Sequence, residues 1–162
     1  MRILCVGGGP AGLYFSILMK LADPDHDITV TERNRPDDTF GFGVVFSDAT
    51  LDKLREADPE THRDILASFR HWDDIDIHYR GEIVVSGGHG MCGIHRRRLL
   101  SILRQRAQGL GVAIEYETDI VDDSRFAGAD LVVAADGINS AIRARFAGHF
   151  GPDLELGKCR YM

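Results

Sequence analysis

A glycine cluster near the start of the chain, Gly7 to Gly12, constrains the fold more than any other feature. It follows the apolar run Ile3–Val6, whose lack of alternation predicts a strand buried on both faces, as in a parallel sheet. Apolar residues then recur at helical spacing as far as Asp23, and Ile28–Thr31 predicts a second strand. Strand, turn, helix and strand within about 30 residues form a βαβ unit, which opens a doubly wound α/β sheet.

The spacing of the cluster is GxGxxG, a pattern with a specific physical use. Gly7 permits a tight turn, Gly9 lets the backbone approach a pyrophosphate, and Gly12 allows the helix to pack closely on the strand. The predicted helix begins around Pro10 and Ala11, where unpaired N–H groups and the positive end of the helix dipole favour an anion. The alternative is that three glycines near a turn serve the backbone alone.

Two carboxylates are predicted at the same edge of the sheet as this turn. Glu32, followed by Arg33, ends the second strand about 20 residues after the cluster, where an acid accepts hydrogen bonds from a ribose diol. Asp136 and Gly137 follow the apolar strand Leu131–Ala135, at the carboxyl end where open α/β sheets bind ligands. Each has a plainer alternative, because Glu32 can be a solvated carboxylate and Asp136-Gly137 a simple turn.

Shorter elements lie between and after these motifs. Glycine and proline mark their ends, and the spacing of apolar residues sets their type. The predicted elements are helices from Ser47 to about Ala57 and from Pro59 to Phe69, a hairpin of Ile75–Tyr79 and Glu82–Ser86, a glycine-rich stretch at Gly87–Gly93, a helix along Leu99–Ala107, a strand at Val112–Tyr116 and a helix from about Ser140.

Composition and charge argue against several classes of partner. The chain has 162 residues, 44% of them apolar, and its 25 acidic and 19 basic residues give a net charge of -6. This suits one compact domain that repels nucleic acid and anionic membrane surfaces. No apolar run approaches the roughly 20 residues of a membrane-spanning helix. Three widely spaced cysteines and the lack of a secretory leader predict a reduced, cytoplasmic protein.

One group of residues has the spacing of metal ligands, His89-x-x-Cys92-x-x-His95, with Cys159 as a fourth ligand. A structural zinc site needs a closed set of four, and close backbone packing explains the surrounding glycines better. We therefore predict no metal. No catalytic acid or base is assigned, and Cys5, in the first apolar strand, is predicted to be a small core residue.

The motifs together resemble the para-hydroxybenzoate-hydroxylase-like flavoprotein monooxygenases. The signatures of that family are an N-terminal GxGxxG, an Arg-x-x-Leu helix start and an Asp-Gly motif on a later strand. The matching residues, in the family's order, are Gly7, Gly9 and Gly12, then Arg96 with Leu99, then Asp136, Gly137, Ser140 and Arg143. The resemblance implies that Glu32-Arg33 binds the adenosine ribose, that Arg96 faces the FAD phosphates, and that Asp136-Gly137 takes part in binding FAD and NAD(P)H.

The fold that this resemblance implies is a Rossmann-like FAD-binding domain of the glutathione-reductase type, with a parallel sheet and a small β excursion. We expect it to span residues 1–150, with the excursion at about 73–87, and residues 151–162 to begin a truncated substrate domain. The family's last signature, a Gly-Asp motif that holds FAD, normally lies further along. The chain alone is therefore expected to be inactive, and its open C-terminal edge is expected to pair with a second copy.

Two shorter stretches, Gly41–Ser47 and Ser86–Arg96, are most similar to the salicylyl-CoA 5-hydroxylase and 2-aminobenzoyl-CoA monooxygenase branch. The implied activity is hydroxylation of a small aromatic substrate, with an aryl-CoA thioester as the finer expectation, using FAD, NADH or NADPH, and O2. Two alternatives stay open. One is an FAD-dependent reductase or dehydrogenase of the same fold, and the other is an inactive nucleotide-binding fragment that acts through a partner.

Overall fold

The structure, a computed structural model, describes residues 1–120, 123–155 and 157. It has the predicted mixed α/β architecture. The strands are β1 (Arg2–Val6), β2 (Asp27–Thr31), β3 (Gly43–Phe46), β4 (Arg70–Trp72), β5 (Ile75–Tyr79), β6 (Glu82–Ser86), β7 (Met91–His95), β8 (Ala113–Glu115) and β9 (Leu131–Ala134). The helices are α1 (Pro10–Ala22), α2 (Asp48–Ala57), α3 (Pro59–Leu66), α4 (Arg96–Gly109), α5 (Ala141–Arg145) and α6 (Ala147–Phe150), with a 3-10 turn at Asp123–Arg125.

The main sheet is parallel and has the strand order β8-β2-β1-β9. Strand β1 lies inside the sheet and pairs with β2 on one side and β9 on the other, so that Val6 lies between Thr31 and Ala134. The carboxyl ends of these three strands therefore meet at one edge of the sheet. Open α/β sheets bind their ligands at such an edge. The predicted βαβ unit and parallel sheet are confirmed.

Helices α1 and α4 cover one face of this sheet. Side chains alternate along β1, so Ile3 and Cys5 join the larger core cluster together with Leu13 and Ile17 of α1. Leu13 and Ile17 are fully buried, and burying each stabilises the fold by about 1.5–3 kcal/mol relative to exposure. Leu4 points to the opposite face, where it belongs to a smaller apolar cluster. This packing holds the start of α1 directly above the end of β1.

The second layer contains helices α2 and α3 and a three-stranded antiparallel sheet of order β3-β7-β4. Strands β3, β4 and β7 were not predicted; at β7 the glycines in 87–93 indicated a loop. One of those glycines serves the strand pairing instead. A Cβ on Gly93 would lie 3.0 Å from Cη2 of Trp72, so the missing side chain makes room for an aromatic ring on the neighbouring strand.

The structure contains the predicted hairpin, in which β5 and β6 pair antiparallel with Tyr79 opposite Glu82. The two turn residues, Arg80 and Gly81, have φ angles of 51° and 85°, as a two-residue hairpin turn with the favoured twist requires. The helix predicted for Pro59–Phe69 ends earlier, at Leu66. The chain then turns into β4, with the Phe69 N–H donating to the Leu66 carbonyl at 3.2 Å.

The C-terminal edge that was expected to pair with a second copy, residues 154–162, lies mostly outside the described residues, and so does Cys159. Residues 151–155 and 157 are described and have no regular secondary structure. The division into a domain at 1–150 and a second one at 151–162 therefore stays a prediction. In the part of the chain that is described, no helix is both long enough and apolar enough to cross a membrane.

Candidate cofactor-binding site

An open cleft with a volume of about 510 Å³ lies where β1, β2 and β9 end. Its walls come from the loops that follow these strands and from the first residue of α4. Of the ten predicted site residues, those that line the cleft are Gly7, Gly9, Glu32, Arg33, Arg96, Asp136 and Gly137. The other three, Pro10, Ala11 and Gly12, form the first turn of α1, directly after Gly9.

The three glycines of the GxGxxG pattern meet different surroundings. Gly7 has a φ of 114°, and a Cβ there would lie 2.3 Å from the Ala135 carbonyl oxygen. A Cβ on Gly12 would lie 2.0 Å from the Gly7 carbonyl oxygen. The fold itself therefore requires both glycines. A Cβ on Gly9 would meet no described atom within 4 Å, so the space beside Gly9 is open to a ligand.

The N-terminus of α1 has no side-chain cap. Gly9 is its N-cap residue in extended geometry, and the first backbone hydrogen bond into the helix runs from the Leu13 N–H to the Gly9 carbonyl at 3.0 Å. The N–H groups of Ala11 and Gly12 precede that bond, and the first N–H groups of a helix have no partner within it. Partial positive charge therefore accumulates next to the cleft, as an anionic group requires.

Beneath this turn, Cys5 behaves as a core residue. It is fully buried, and its thiol lies 3.7 Å from the Gly12 carbonyl oxygen, which also accepts a hydrogen bond from Ser16 Oγ at 2.8 Å. Burial raises the pKa of the Cys5 thiol to about 11, although a hydrogen bond with Ser16 acts to lower it. The thiol is therefore protonated at neutral pH and is not an activated nucleophile.

Glu32 crosses from the end of β2 to the glycine turn. Its Oε2 accepts a hydrogen bond from the Gly8 N–H at 2.8 Å. Its Oε1 accepts two, from the backbone N–H and the side-chain amide of Asn34, at 2.9 and 2.7 Å. The carboxylate is thus fixed from both sides before any ligand arrives. Arg33, the next residue, is exposed and lines the same cleft.

Arg96 and Asp136 bring opposite charges to the cleft from two other elements. Arg96 opens α4, and its backbone N–H donates to the Phe42 carbonyl at 3.1 Å. One carboxylate oxygen of Asp136 accepts from the Ile142 N–H at 3.4 Å. Arg96 Nε and Asp136 Oδ1 are buried and find no hydrogen-bond partner among the described residues. A ligand with both phosphate oxygens and hydroxyl groups would satisfy both atoms, so these residues fit FAD.

The loop after β9 is held by the start of α5. Ser140 caps this helix by accepting a hydrogen bond from the Arg143 N–H at 2.9 Å. The Arg143 guanidinium in turn donates to the Ile138 carbonyl at 2.5 Å. Gly137 has a φ of 85°, which an L side chain rarely adopts. The Asp-Gly motif is therefore a braced turn that holds Asp136 at the cleft.

Several other residues of the cleft were not predicted as site residues. They lie at strand ends or in the loops that follow, which was the signal available for finding them. The residues are Thr31, Asn34, Phe40, Thr118 and Ile138. Asn34 in particular follows Glu32 by two positions, and asparagine side chains at that distance often bond to neighbouring groups.

The three residues with metal-ligand spacing each make a separate contact. His89 Nε2 shares a hydrogen bond with Ser86 Oγ at 2.7 Å, and the Cys92 thiol donates to the Phe46 carbonyl at 3.4 Å. His95 caps helix α4 through its ring nitrogen. Across residues 1–120, 123–155 and 157, no group of three or more His, Cys, Asp or Glu side chains is arranged to hold a metal ion.

No protein-family model matches the chain. It is 46% identical over 162 residues to a salicyloyl-CoA 5-hydroxylase from a Streptomyces species, an alignment that covers 100% of this chain. It is 35% identical over 151 residues, 93% of this chain, to 3-hydroxy-4-methyl-anthranilyl-(aryl-carrier protein) 5-monooxygenase from Streptosporangium sibiricum. The chain is homologous to the N-terminal portion of FAD-dependent aromatic monooxygenases. The predicted resemblance is confirmed.

The chain spans 31% and 42% of the lengths of these two monooxygenases. It also superposes on a solved structure, the tetrameric form of 2-methyl-3-hydroxypyridine-5-carboxylic acid oxygenase, with a TM-score of 0.71 and 25% identity, over 86% of this chain and 40% of that one. The FAD-binding fold of such monooxygenases is therefore confirmed for this chain. The individual roles of the site residues stay predictions.

Proposed function

We propose that this chain forms the FAD-binding portion of a monooxygenase that hydroxylates an aromatic substrate with NADH or NADPH and O2. The observation that carries the proposal is the convergence of Gly9, the uncapped start of α1 and Glu32 on one cleft. The homology to aromatic monooxygenases supports the choice of FAD among dinucleotides. In this proposal residues 1–150 make up the FAD-binding domain.

The cleft residues divide into two groups by the part of the nucleotide that each is proposed to contact. The diphosphate is proposed to lie against Gly9 and the first turn of α1, Pro10 and Ala11, where the helix N-terminus favours an anion. Arg96 adds a positive charge there, and its unpaired Nε is a free donor. Glu32 and Arg33 are proposed to bind the adenosine ribose. In this arrangement the negative diphosphate meets the helix N-terminus and Arg96, and the neutral ribose hydroxyls meet the Glu32 carboxylate as an acceptor.

The turn after β9 is the remaining contact. Asp136 Oδ1 is a buried acceptor without a partner among the described residues, and we propose that a hydroxyl or N–H group of the flavin nucleotide donates to it. Gly137 keeps the backbone of that turn free of a side chain. Bound FAD would supply the oxygen chemistry of the reaction. The residues of this chain bind and orient it.

The substrate class follows from the names of the relatives. One acts on a salicyloyl-CoA and the other on an anthranilyl group carried by an aryl-carrier protein. Both are aromatic acids held as thioesters, so we propose an aryl thioester, with aryl-CoA as the first choice. The chain alone is proposed to bind FAD without hydroxylating, as one portion of a longer enzyme. The coding sequence after Met162 tests that part directly.

We further propose a reducing, cytoplasmic setting and self-association. Cys5 and Cys92 are free, buried thiols, which suits a compartment that keeps thiols reduced. The tetrameric form of the related oxygenase supports assembly into a homo-oligomer. Sedimentation of the purified protein at several concentrations tests this, and a single monomeric species throughout would contradict it.

The proposal is tested by titrating the purified chain with FAD and following quenching of flavin fluorescence. Glu32→Ala is expected to weaken FAD binding by about tenfold or more, because a hydrogen bond to a charged group is lost. Glu56→Ala, at an exposed position of α2, is the matched control and should bind like the wild type. Equal FAD affinity in the wild type and Glu32→Ala would refute the assignment of Glu32.

The reaction class needs the longer enzyme. With NAD(P)H and an aryl-CoA thioester, a monooxygenase consumes O2 in step with hydroxylated product. A reductase or dehydrogenase of the same fold would transfer hydride without forming that product. Detection of the hydroxylated thioester by mass spectrometry therefore separates the two, and its absence in the presence of steady NAD(P)H oxidation would favour the second class.

A further inference from the structure

Three arginines outside the cleft form an exposed basic cluster that has no acidic partner. Arg97 and Arg98 belong to the first turn of α4, and Arg70 is the first residue of β4. All three are exposed. Among the described residues, none of the three makes an ion pair. By contrast, the exposed Arg55 pairs with Asp52 at 2.9 Å.

The strand pairing of the second layer brings the cluster together. Arg70 lies opposite Gly93 in the pairing of β4 with β7, and β7 leads directly into α4. Arg98 Nε donates to Ser68 Oγ at 3.0 Å, and Ser68 precedes Arg70 by two residues. Arg96, in the same helical turn as Arg98, lines the cleft proposed for FAD. The cluster therefore lies next to that cleft without lining it.

The charges at the start of α4 oppose the preference of a helix. The N-terminus of a helix carries partial positive charge and favours acidic side chains. Helices α2 and α3 follow this rule, with Asp48 and Glu60 in their first turns, but α4 has no acid there. The Arg97 N–H is already bonded to His95 Nδ1 at 3.2 Å, so the arginine side chains are the groups open to a ligand. Departures from such local rules are expected at functional sites.

We infer that Arg70, Arg97 and Arg98 bind the diphosphate and the ribose 3′-phosphate of the CoA moiety of an aryl-CoA substrate. Arginine suits this role, because its planar guanidinium donates paired hydrogen bonds to phosphate oxygens. The chain as a whole has a net charge of -6 and repels such an anion, so the cluster determines where the anion binds. The inference rests on the proposed function and its aryl-CoA class, and it adds a second anion site beside the FAD cleft.

The test is calorimetric titration of CoA into the purified chain after saturation with FAD, so that the dinucleotide cleft is already filled. Arg97→Gln/Arg98→Gln should bind CoA about tenfold more weakly or worse, because hydrogen bonds between charged groups are lost. Its urea midpoint should hold or rise, since two positive charges leave the helix N-terminus. Pantetheine, which lacks the phosphates, should not distinguish the two proteins. Equal CoA affinity in both proteins, no CoA binding by the wild type, or an equal loss for pantetheine would overturn the inference.

Two comparisons make the test specific to the cluster and to CoA. Lys53→Gln/Arg55→Gln removes the same charge from α2, where both side chains have acidic partners, and should bind CoA like the wild type. An equal loss in that variant would mean that net charge governs binding, which would count against the cluster. NADPH also carries a diphosphate and a ribose phosphate. An equal loss of NADPH and CoA affinity in Arg97→Gln/Arg98→Gln would make the cluster a site for the reductant and refute the inference.

The two levels of the proposal fail in different ways. If FAD does not bind to the wild-type chain, the FAD-binding function fails and takes this inference with it. Arg97→Gln/Arg98→Gln should keep the FAD affinity of the wild type, because neither residue lines the cleft. If FAD binds to both proteins and their CoA affinities are equal, the FAD-binding function stands and only the CoA site is wrong.

Discussion

Helices α1 and α3 both begin with a proline, yet their N-termini are completed in different ways. Before α1 stands Gly9, which has no side chain to cap the helix, and the free N–H groups border the cleft. Before α3 stands Asp58, whose carboxylate accepts hydrogen bonds from the Thr61 N–H and hydroxyl at 3.4 and 2.5 Å. Proline removes one orphan donor at either start. The N-cap residue before the proline decides whether the remaining N–H groups are left free for a ligand or are bonded within the protein.

The Asp58 cap is also part of an ion pair. Arg106 of α4 lies 3.2 Å from Asp58 Oδ1 and 2.6 Å from Glu60 Oε2, and the Asp58 side chain is 1% exposed. Burial acts to raise the pKa of Asp58, but hydrogen bonds from Thr61 and Arg106 outweigh it, so the pKa is lowered. Burial and the charge of Asp58 raise the pKa of Tyr14 on α1. The α3 start is therefore closed by protein groups alone.

The largest expected effect on stability comes from mutating the capped start of α3, which we call the closed start. Asp58→Ala removes the cap and one acidic partner of Arg106, and loss of one member of a buried pair costs about 3–5 kcal/mol. We expect the free energy of unfolding, from urea titration, to fall by about that amount. Asp52→Ala removes an exposed acid whose pairing with Arg55 spans 2.9 Å, and it should cost about 1 kcal/mol or less. Similar losses in the two variants would show that burial of Asp58 adds nothing.

The uncapped start of α1, which we call the open start, should respond in the opposite sense: a substitution there should lower FAD affinity and not stability. Gly9→Ala places a Cβ where no described atom lies within 4 Å, at a φ of -75° that alanine accepts. Stability should hold or rise by up to about 1 kcal/mol, because the unfolded chain loses freedom. FAD affinity should fall at least about tenfold, or about 1.4 kcal/mol, since the backbone no longer lies against the diphosphate.

A second glycine of the same turn is the control for this variant. Gly12→Ala brings a Cβ to 2.0 Å from the Gly7 carbonyl oxygen, so its effect should be on folding, seen as a lower urea midpoint. Unfolding and flavin titrations on both variants separate the two kinds of glycine. Unchanged FAD affinity in Gly9→Ala would remove the basis for a ligand at this turn.

The open start was predictable from the sequence because its signals are local. The glycines, the apolar strand before them and the helical spacing after them all lie within one βαβ unit. The hairpin around Arg80 and Gly81 was predictable for the same reason, since a two-residue turn fixes the register of its strands. The second-layer sheet was not predictable, because β7 pairs with β3 and β4, which lie far away in the sequence. The need for glycine at position 93 appears only when Trp72 is seen to pack against it.

The candidate site shows the same division. Glu32 and Gly9 follow from spacing, whereas the position of Arg96 in the cleft depended on the family resemblance and on a strand pairing that sequence patterns do not reveal. The bonds from Asn34 to Glu32 were not predicted, because a polar residue in a polar loop carries no periodicity and a two-residue spacing alone does not fix a hydrogen bond. Hydrogen-bond geometry between neighbouring side chains becomes visible only when the backbone of the loop is known.

Lowering the pH should reduce the stability that Asp58 contributes at the start of α3. Its pKa is lowered by folding, so its contribution is present above the ordinary carboxyl pKa and is lost as the pH falls through the folded value. The wild type should therefore lose more stability than Asp58→Asn between about pH 5 and pH 3. Urea midpoints across that range measure the difference. Parallel pH profiles for the two proteins would mean that Asp58 titrates alike in the folded and unfolded states.

The smallest effect is expected at α2, whose start lies between the two extremes. Ser47 caps it by accepting from the Thr50 N–H at 3.4 Å, but the site is exposed, and no ion pair between described residues involves Ser47. Ser47→Ala should cost about 1 kcal/mol in urea unfolding, and Ser47→Asp should restore it, because a carboxylate accepts the same bond. FAD affinity should not change in either variant. A loss as large as that of Asp58→Ala would show that the cap itself, and not its burial with Arg106, makes the α3 start costly to break.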